Sequence, residues 1–333
     1  MYRVRKKFWN WTLREENVLD GWFDRYQQYI RSNPVKKNPQ RTVFTINGLY
    51  YVKLFTPHKL EDKIREMMFP RARLEFEAGV ELEAAGIPVI RYLGWGHCLT
   101  RGMLVSAAES EAYTLWQLRR EVTPKILSEL ARLTRQLIEK NYFHPDYHPG
   151  NIPVTVDGEL KLVDAYGIVS IGHYEFARKS RMVRIILGLK EFITDAQAVE
   201  FLIQAGLANS AAEAAENWNE YLVLDGIRLK KDWEKRSRQI ISNYGKFVAV
   251  TDGIVFRKMP DETPASLENA EINDYPAEEA RKIWLDSFRF EIAGLPCRKP
   301  LAIENGTRIY WENTPCPVWS EEERHRAEKM EIL

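Results

Sequence analysis

Apolar and polar residues alternate most clearly in RTVFTINGLYYVKLF (41–55), where two arms rich in β-branched and aromatic residues flank Asn47-Gly48. That pattern predicts a β-hairpin, with Asn-Gly at a type I′ turn. The run KLEDKIREMMFPRARLEFEAGVELEAAG (59–86) is charged and helix-prone, and Pro70 breaks it. The part after Pro70 reads as one helix closed by Gly86, since glycine suits the position just past a helix end. IPVIRYLGWG (87–96) and GMLVSAA (102–108) predict short strands.

From 123 to 141 the pattern is again helical, with Leu127, Leu130, Leu137 and Ile138 stacking on one face. HPDYHPGN (144–151) follows, and then IPVTVDGELKLVDAYG (152–167), which predicts a second hairpin turning at Asp157-Gly158. Residues 177–240 read as mainly helical. Beyond about 245 the chain returns to strands, Pro-rich connections and one more helix. This order predicts an α+β fold: a small mixed lobe over 1–105, a helical lobe over 106–240, and an extension over 245–333.

Composition narrows the function classes. The 333 residues carry 48 Lys+Arg against 47 Asp+Glu, so the general basic field that drives non-specific nucleic-acid binding is absent. Cys98, Cys297 and Cys316 form neither a CxxC pair nor an even disulfide framework. The start, MYRVRKKFWNWTLREEN, lacks the apolar stretch of a signal peptide, and no run is long enough to span a membrane. A cytoplasmic chain is expected. Arg3, Arg5, Lys6 and Lys7 beside Phe8, Trp9 and Trp11 suit either an anionic membrane surface or a packed segment with a solvated basic edge.

The spacing within HPDYHPGN and beyond it carries chemistry. Asp146 precedes Asn151 by five residues, Asn151 precedes Asp164 by thirteen, and the hairpin between them returns Asp164 to the loop. Protein kinases place a catalytic Asp, a metal-binding Asn and a later metal-binding Asp in this order. Phosphoryl transfer with ATP needs Mg2+, which prefers oxygen ligands; Asn151 and Asp164 supply them. Asp146 is the candidate base for the acceptor hydroxyl. His144 is expected to brace the loop backbone and His148 to shape it. Lys53 on the first hairpin is the candidate cation for the nucleotide phosphates, oriented by Glu75 or, second, by Glu77.

Alternatives stay open on these residues alone. His144 and Asp146 with His148 or His173 could form the two-His, one-carboxylate face of an iron oxygenase. A kinase of another small molecule and a kinase-like scaffold without transfer activity are the others. Arg178, Lys179, Arg181 and Arg184 fall at helical spacings and suit either an anionic ligand or a solvated helix face.

The combination GLYYVK, RARLEFEAGVELEAAGIPVIRYLGWG and HPDYHPGN…LKLVDAYG resembles the lipopolysaccharide kinases, over roughly residues 41–190. The resemblance implies a bilobal protein-kinase-like fold, ATP with Mg2+, and a Kdo or heptose hydroxyl of the lipopolysaccharide core as acceptor. It implies peripheral contact with the inner face of the bacterial inner membrane. It also assigns Lys53 and Glu75 to nucleotide positioning, Asp146 as base, and Asn151 and Asp164 to the metal. Two departures stand out: residues 31–47 hold no glycine for a phosphate-covering loop, and Ala165 replaces an aromatic after Asp164.

A second pairing lies further on. FVAVTDGIVFRKM (247–259) places Lys258 five residues after Gly253, as Lys53 follows Gly48. IWLDSFRFEIAGLPC (283–297) runs into Ala-Gly-Leu-Pro as the earlier helix runs into Ala-Gly-Ile-Pro. Residues from about 245 are therefore expected to be a degenerate second copy of the small lobe, inactive because Ile283 stands where Glu75 does.

Overall fold

The structure, a computed structural model, describes residues 1–32, 34–38, 40–109, 112–170, 181–242, 247–259, 263–292, 295–321 and 323–324. The chain forms two compact units, Met1–Tyr221 and Leu222–Leu333. The expected small lobe, 1–105, lies in the first, and the expected helical lobe, 106–240, runs past its end.

Met1–Tyr221 opens with strands β1 (Tyr2–Lys6) and β2 (Trp9–Leu13) and helix α1 (Tyr26–Ser32). Strands β3 (Pro34–Asn38), β4 (Arg41–Ile46) and β5 (Tyr50–Phe55) follow, then helices α2 (Leu60–Met68) and α3 (Arg71–Ala84). Strands β6 (Tyr92–Cys98) and β7 (Arg101–Ala107) complete a seven-stranded antiparallel sheet in the order β1-β2-β6-β7-β5-β4-β3.

The expected hairpin is β4–β5, with Asn47 and Gly48 both at positive φ. Trp9, Trp11 and Leu13 alternate inward along β2 and join Phe23, Phe44 and Val52 in the core. The packed reading of the N-terminal segment therefore holds for both tryptophans, and only Phe8 stays outside.

Pro70 separates α2 from α3, as expected. At the end of α3 the Gly86 amide bonds to Glu83 O and the Ile87 amide to Leu82 O, a Schellman closure that needs the φ of +72° at Gly86.

The helical part begins after the two-residue strand β8 (Tyr113–Thr114). Thr123 caps α4 (Pro124–Glu139) through a bond from the Ile126 amide, and proline occupies the first turn, where its missing N–H costs nothing. Leu127, Leu130 and Leu137 are buried, as the periodicity requires. Short strands β9 (Tyr142–Phe143), β10 (Pro153–Val154) and β11 (Val169–Ser170) border the loop. The expected second hairpin is reduced to one bridge, Val154 with Leu160, while Leu162 pairs with Val89. Helices Asp195–Gln204 and Ala211–Ile241 follow, and the boundary between the units falls inside the second of these.

Leu222–Leu333 has strands β12 (Val248–Thr251), β13 (Ile254–Arg257), β14 (Glu271–Asp274), β15 (Pro300–Glu304) and β16 (Arg308–Trp311). Their order is β12-β13-β15-β16-β14. Helix Ala277–Ile292 packs Trp284 and Phe288 onto Val248, Ile303 and Ile309.

This topology corrects the repeat expectation. In the first unit β5 pairs with β7, the second strand after the helix; here β13 pairs with β15, the first strand after it. An additional strand, β14, also precedes the helix. Lys258 lies beyond the end of β13. Its neighbour Arg257 instead turns inward, with Glu291 at 2.6 Å, the Pro300 carbonyl at 3.0 Å and Ser287 as partners. Shared turns and an Ala-Gly-X-Pro helix end are local signals, and they do not fix which strands pair. Gly294 lies outside the described residues.

Candidate active site

Lys53 sits in the middle of β5, between β4 and β7, with its side chain largely buried. Its Nζ donates to Glu75 Oε1 at 2.5 Å and also to Asp164 Oδ1. Glu75 comes from α3 and is only 1% exposed. Glu77, the second choice for this role, is exposed on the same helix and pairs with Arg73 at 2.8 Å. Two positions, about half a helical turn, separate a carboxylate inside the core from one in solvent.

The charges interlock. Burial pushes the Lys53 pKa down, but Glu75 and Asp164 outweigh it, and the ammonium stands above its ordinary value. For Glu75 burial wins over Lys53, and its carboxyl is raised. At Asp164 burial raises the carboxyl, but Lys53 and then Arg41, at 3.6 Å, hold it below the usual range. Asp164 also carries a φ of +56°, a left-handed conformation that Asp tolerates better than most residues. Such backbone is costly and concentrates at functional sites.

Tyr92, on β6, was not legible as part of the site. Its hydroxyl donates to Glu75 Oε1 and accepts from the Ala165 amide, each at 3.2 Å. It thereby links the helix carboxylate to the backbone just after Asp164. Burial, then Glu75, raises its pKa well above the ordinary value, so it remains a hydroxyl. The signal for it was Gly79, a helix-interior glycine: a Cβ there would stand 2.1 Å from the Tyr92 ring.

The HPDYHPGN loop is held from beneath. His144 is fully buried; its Nδ1 accepts the Asp146 amide at 3.2 Å, which leaves Nε2 as the protonated nitrogen facing Val163 O at 3.2 Å. Burial lowers its pKa and keeps the ring neutral. With both nitrogens engaged by backbone, His144 has none for a metal, which removes the iron reading. His173 lies outside the described residues. His148 shapes the loop, accepting the Gly150 amide at 3.0 Å. Tyr147 is buried and bonds Thr134 on α4 at 2.9 Å.

Asp146 projects outward, its side chain 74% exposed. Asn151 Nδ2 donates to Asp146 O at 3.0 Å and to Asp146 Oδ2 at 3.3 Å. This leaves Asn151 Oδ1 without a hydrogen-bond partner among the described residues. Asn151 and Asp164 thus offer oxygen donors of the kind Mg2+ prefers, so the residues fit the expected ion.

Asp146, Asp164 and Glu75 line one cavity of about 310 Å3, with Gln40, Arg41, Arg71 and Tyr166 also on its wall. All five residues expected from the sequence therefore meet at this place, Lys53 through its bonds and Asn151 through Asp146. Arg41 and Arg71 add positive charge where no glycine loop exists. Of the basic helix residues, Arg181 lies over the Phe143 ring at 5.6 Å and Arg184 is exposed; Arg178 and Lys179 fall outside the described residues.

Residues 105–201 match the family model described as the ABC1 atypical kinase-like domain. The fold is kinase-like. A β-sheet lobe carries Lys53 and Glu75, and the helical part carries the loop with Asp146 and Asn151.

Solved structures that this kinase-like chain is similar to include WbdD with the kinase inhibitor LY294002, at 20% identity and a TM-score of 0.40, covering 54% of this chain and 44% of that one. The bifunctional kinase-methyltransferase WbdD matches at 17% identity and a TM-score of 0.39, covering 64% of this chain and 49% of that one. The chain thus spans less than half the length of each of these two solved chains. No curated protein matches it.

Proposed function

We propose that this kinase-like protein transfers the γ-phosphoryl group of ATP to a hydroxyl, and that the acceptor is a Kdo or heptose sugar of the lipopolysaccharide core. The observation that carries the transfer reading is Lys53 bonded to Glu75 and Asp164, two carboxylates that line the same cavity as Asp146. Glu75 keeps the ammonium aimed at the cavity, where it meets the anionic phosphates of ATP. Asn151 and Asp164 would hold Mg2+, which supplies positive charge against the phosphate oxygens when bound.

Asp146 accepts the proton of the acceptor hydroxyl as its oxygen bonds to the γ-phosphorus and the bond to the β-phosphate oxygen breaks. Arg41 and Arg71 favour the charge spread over the transferred group. The sugar acceptor rests on the sequence resemblance, and with it a place at the inner face of the bacterial inner membrane. The resemblance implies peripheral contact there, and no helix among the described residues is long and apolar enough to cross a membrane.

The test is label transfer from γ-labelled ATP to isolated lipopolysaccharide core. The proposal requires label in the core sugar, and at least about a hundredfold less of it with Asp146→Asn. Label on a different small hydroxyl compound alone would replace the acceptor; no transfer to any acceptor, with ATP bound, would make the protein a nucleotide-binding scaffold.

A further inference from the structure

Three turns meet at one end of the seven-stranded sheet. The register sets Asn10 beside His97, His97 beside Gly102, and Gly102 beside Phe55. The β1–β2 turn, the β6–β7 turn and the exit of β5 toward α2 therefore share that end. Each carries a large apolar side chain that the core does not use: Phe8 is 82% exposed, Leu99 80% and Leu60 73%. No other large apolar residue described in Met1–Tyr221 is as exposed.

Helix α2 continues this surface. Leu60, Ile64, Met67 and Met68 follow the spacing of one helix face, and all four are exposed. The one residue α2 buries is Glu66. A surface helix ordinarily turns its apolar stripe to the core, and α2 does the reverse.

Turn chemistry points the same way. Lys7 and Leu99 adopt φ of 56° and 52°. Three other hairpins fill their left-handed positions with Asn47-Gly48, Asp252-Gly253 and Asn305-Gly306, the residues that conformation favours. A leucine there crowds its own backbone, so folding does not account for Leu99.

Cations adjoin all three apolar tips: Lys7 next to Phe8, Arg101 two residues from Leu99, and Lys59 next to Leu60. Lys36 and Lys37 are exposed on β3. Nearby acids are mostly engaged, with Asp24 on Lys7 at 3.0 Å, Asp62 on Gln40 at 3.2 Å and Glu66 on the Arg71 amide at 3.1 Å; Glu61 is exposed. Exposed apolar tips beside cations suit an anionic lipid surface.

The cavity lies at this end too. Gln40, Arg41 and Phe55 line it, and Arg41 pairs with Phe55 in the row that contains Gly102. We infer that this end of the sheet rests on an anionic bilayer surface, with Phe8, Leu60, Leu99 and the α2 stripe among the headgroups. The cavity then takes its acceptor from that surface, as an anionic saccharide anchored in lipid. This last step rests on the phosphotransferase reading; the membrane contact does not.

The test measures co-sedimentation of the full chain with vesicles of equimolar phosphatidylcholine and phosphatidylglycerol, and with phosphatidylcholine alone. The comparison is a triple variant, Phe8→Ser, Leu60→Ser and Leu99→Asn, in which Asn keeps the left-handed turn. Wild type should prefer the anionic vesicles, and the variant should bind at least about tenfold more weakly. The thermal shift with ATP and Mg2+ should be the same in both, which establishes that the variant folds. Equal vesicle binding by wild type and variant, or none by wild type, overturns the inference, as does equal binding to neutral vesicles. Self-association by sedimentation velocity that the variant loses, without vesicle binding, would assign the surface to a second copy instead. Vesicle binding with no nucleotide shift would overturn the phosphotransferase reading and leave the membrane contact standing.

Discussion

Lys53 and Asp164, 111 residues apart in the chain, form a direct ion pair, and Glu75 takes the other side of the same ammonium. One strand, one helix and one turn are fixed to each other through this single nitrogen. Lys53→Met leaves the Glu75 carboxylate buried without its partner. It should cost about 3 kcal/mol of stability, read by urea denaturation. Phosphoryl transfer should fall by about a hundredfold or more.

Glu75 and Glu77 separate by burial. Glu77→Gln should change stability by less than about 0.5 kcal/mol, because its partner Arg73 is also exposed. Glu75→Gln should weaken ATP binding clearly. Equal effects from the two substitutions would mean that Lys53 does not depend on α3.

Gly79→Ala tests the Tyr92 link. Alanine favours a helix interior by about 1 kcal/mol over glycine. Here the new Cβ would meet the Tyr92 ring. Net destabilisation of about 1–3 kcal/mol is expected. A gain in Tm would show that the ring has room to move and does not brace Glu75.

His144 gives the pH dependence. Its folded pKa lies below the ordinary 6.5, so the folded state binds its proton later than the unfolded state does. The stability this contributes is complete above the unfolded value and is lost as pH falls through the window below 6.5 toward the lowered pKa. The slope there should approach about 1.4 kcal/mol per pH unit. Urea denaturation of wild type and His144→Gln across that window should show the slope in wild type and its reduction in the variant.

Much of the site was legible because its residues sit in short local patterns. The Asn47-Gly48 hairpin places Lys53, Pro70 and Gly86 bound the helix that carries Glu75, and one loop orders Asp146 and Asn151. What was missed depends on pairing across the chain. Tyr92 joins the site only because β6 lies under α3, and Arg41 reaches Asp164 only because β4 flanks β5. The apparent repeat failed for the same reason, since its turns and helix end match while β13 and β5 choose different partners. Trp9 and Trp11, read beside so many cations, left two destinations open, and the β2–β6 pairing decides for the core.

Asp146 should be separable from the nucleotide site, because it projects outward and its hydrogen bonds among the described residues are to Asn151 and His144 of its own loop. Asp146→Asn should lower transfer by about a hundredfold to ten-thousandfold while ATP affinity stays within about twofold. Parallel loss of both would place Asp146 in nucleotide binding rather than proton transfer.

The most direct measurement is the Tm of wild type and Asp164→Asn with ATP and Mg2+, together and separately. Asn tolerates the left-handed backbone at this position, so the comparison isolates the carboxylate. Ligand at about a hundred times its Kd should add about 2.7 kcal/mol of stability to wild type. The account predicts a shift that needs both ATP and Mg2+ and disappears in Asp164→Asn. A shift of equal size in the variant, or none in wild type, would contradict it.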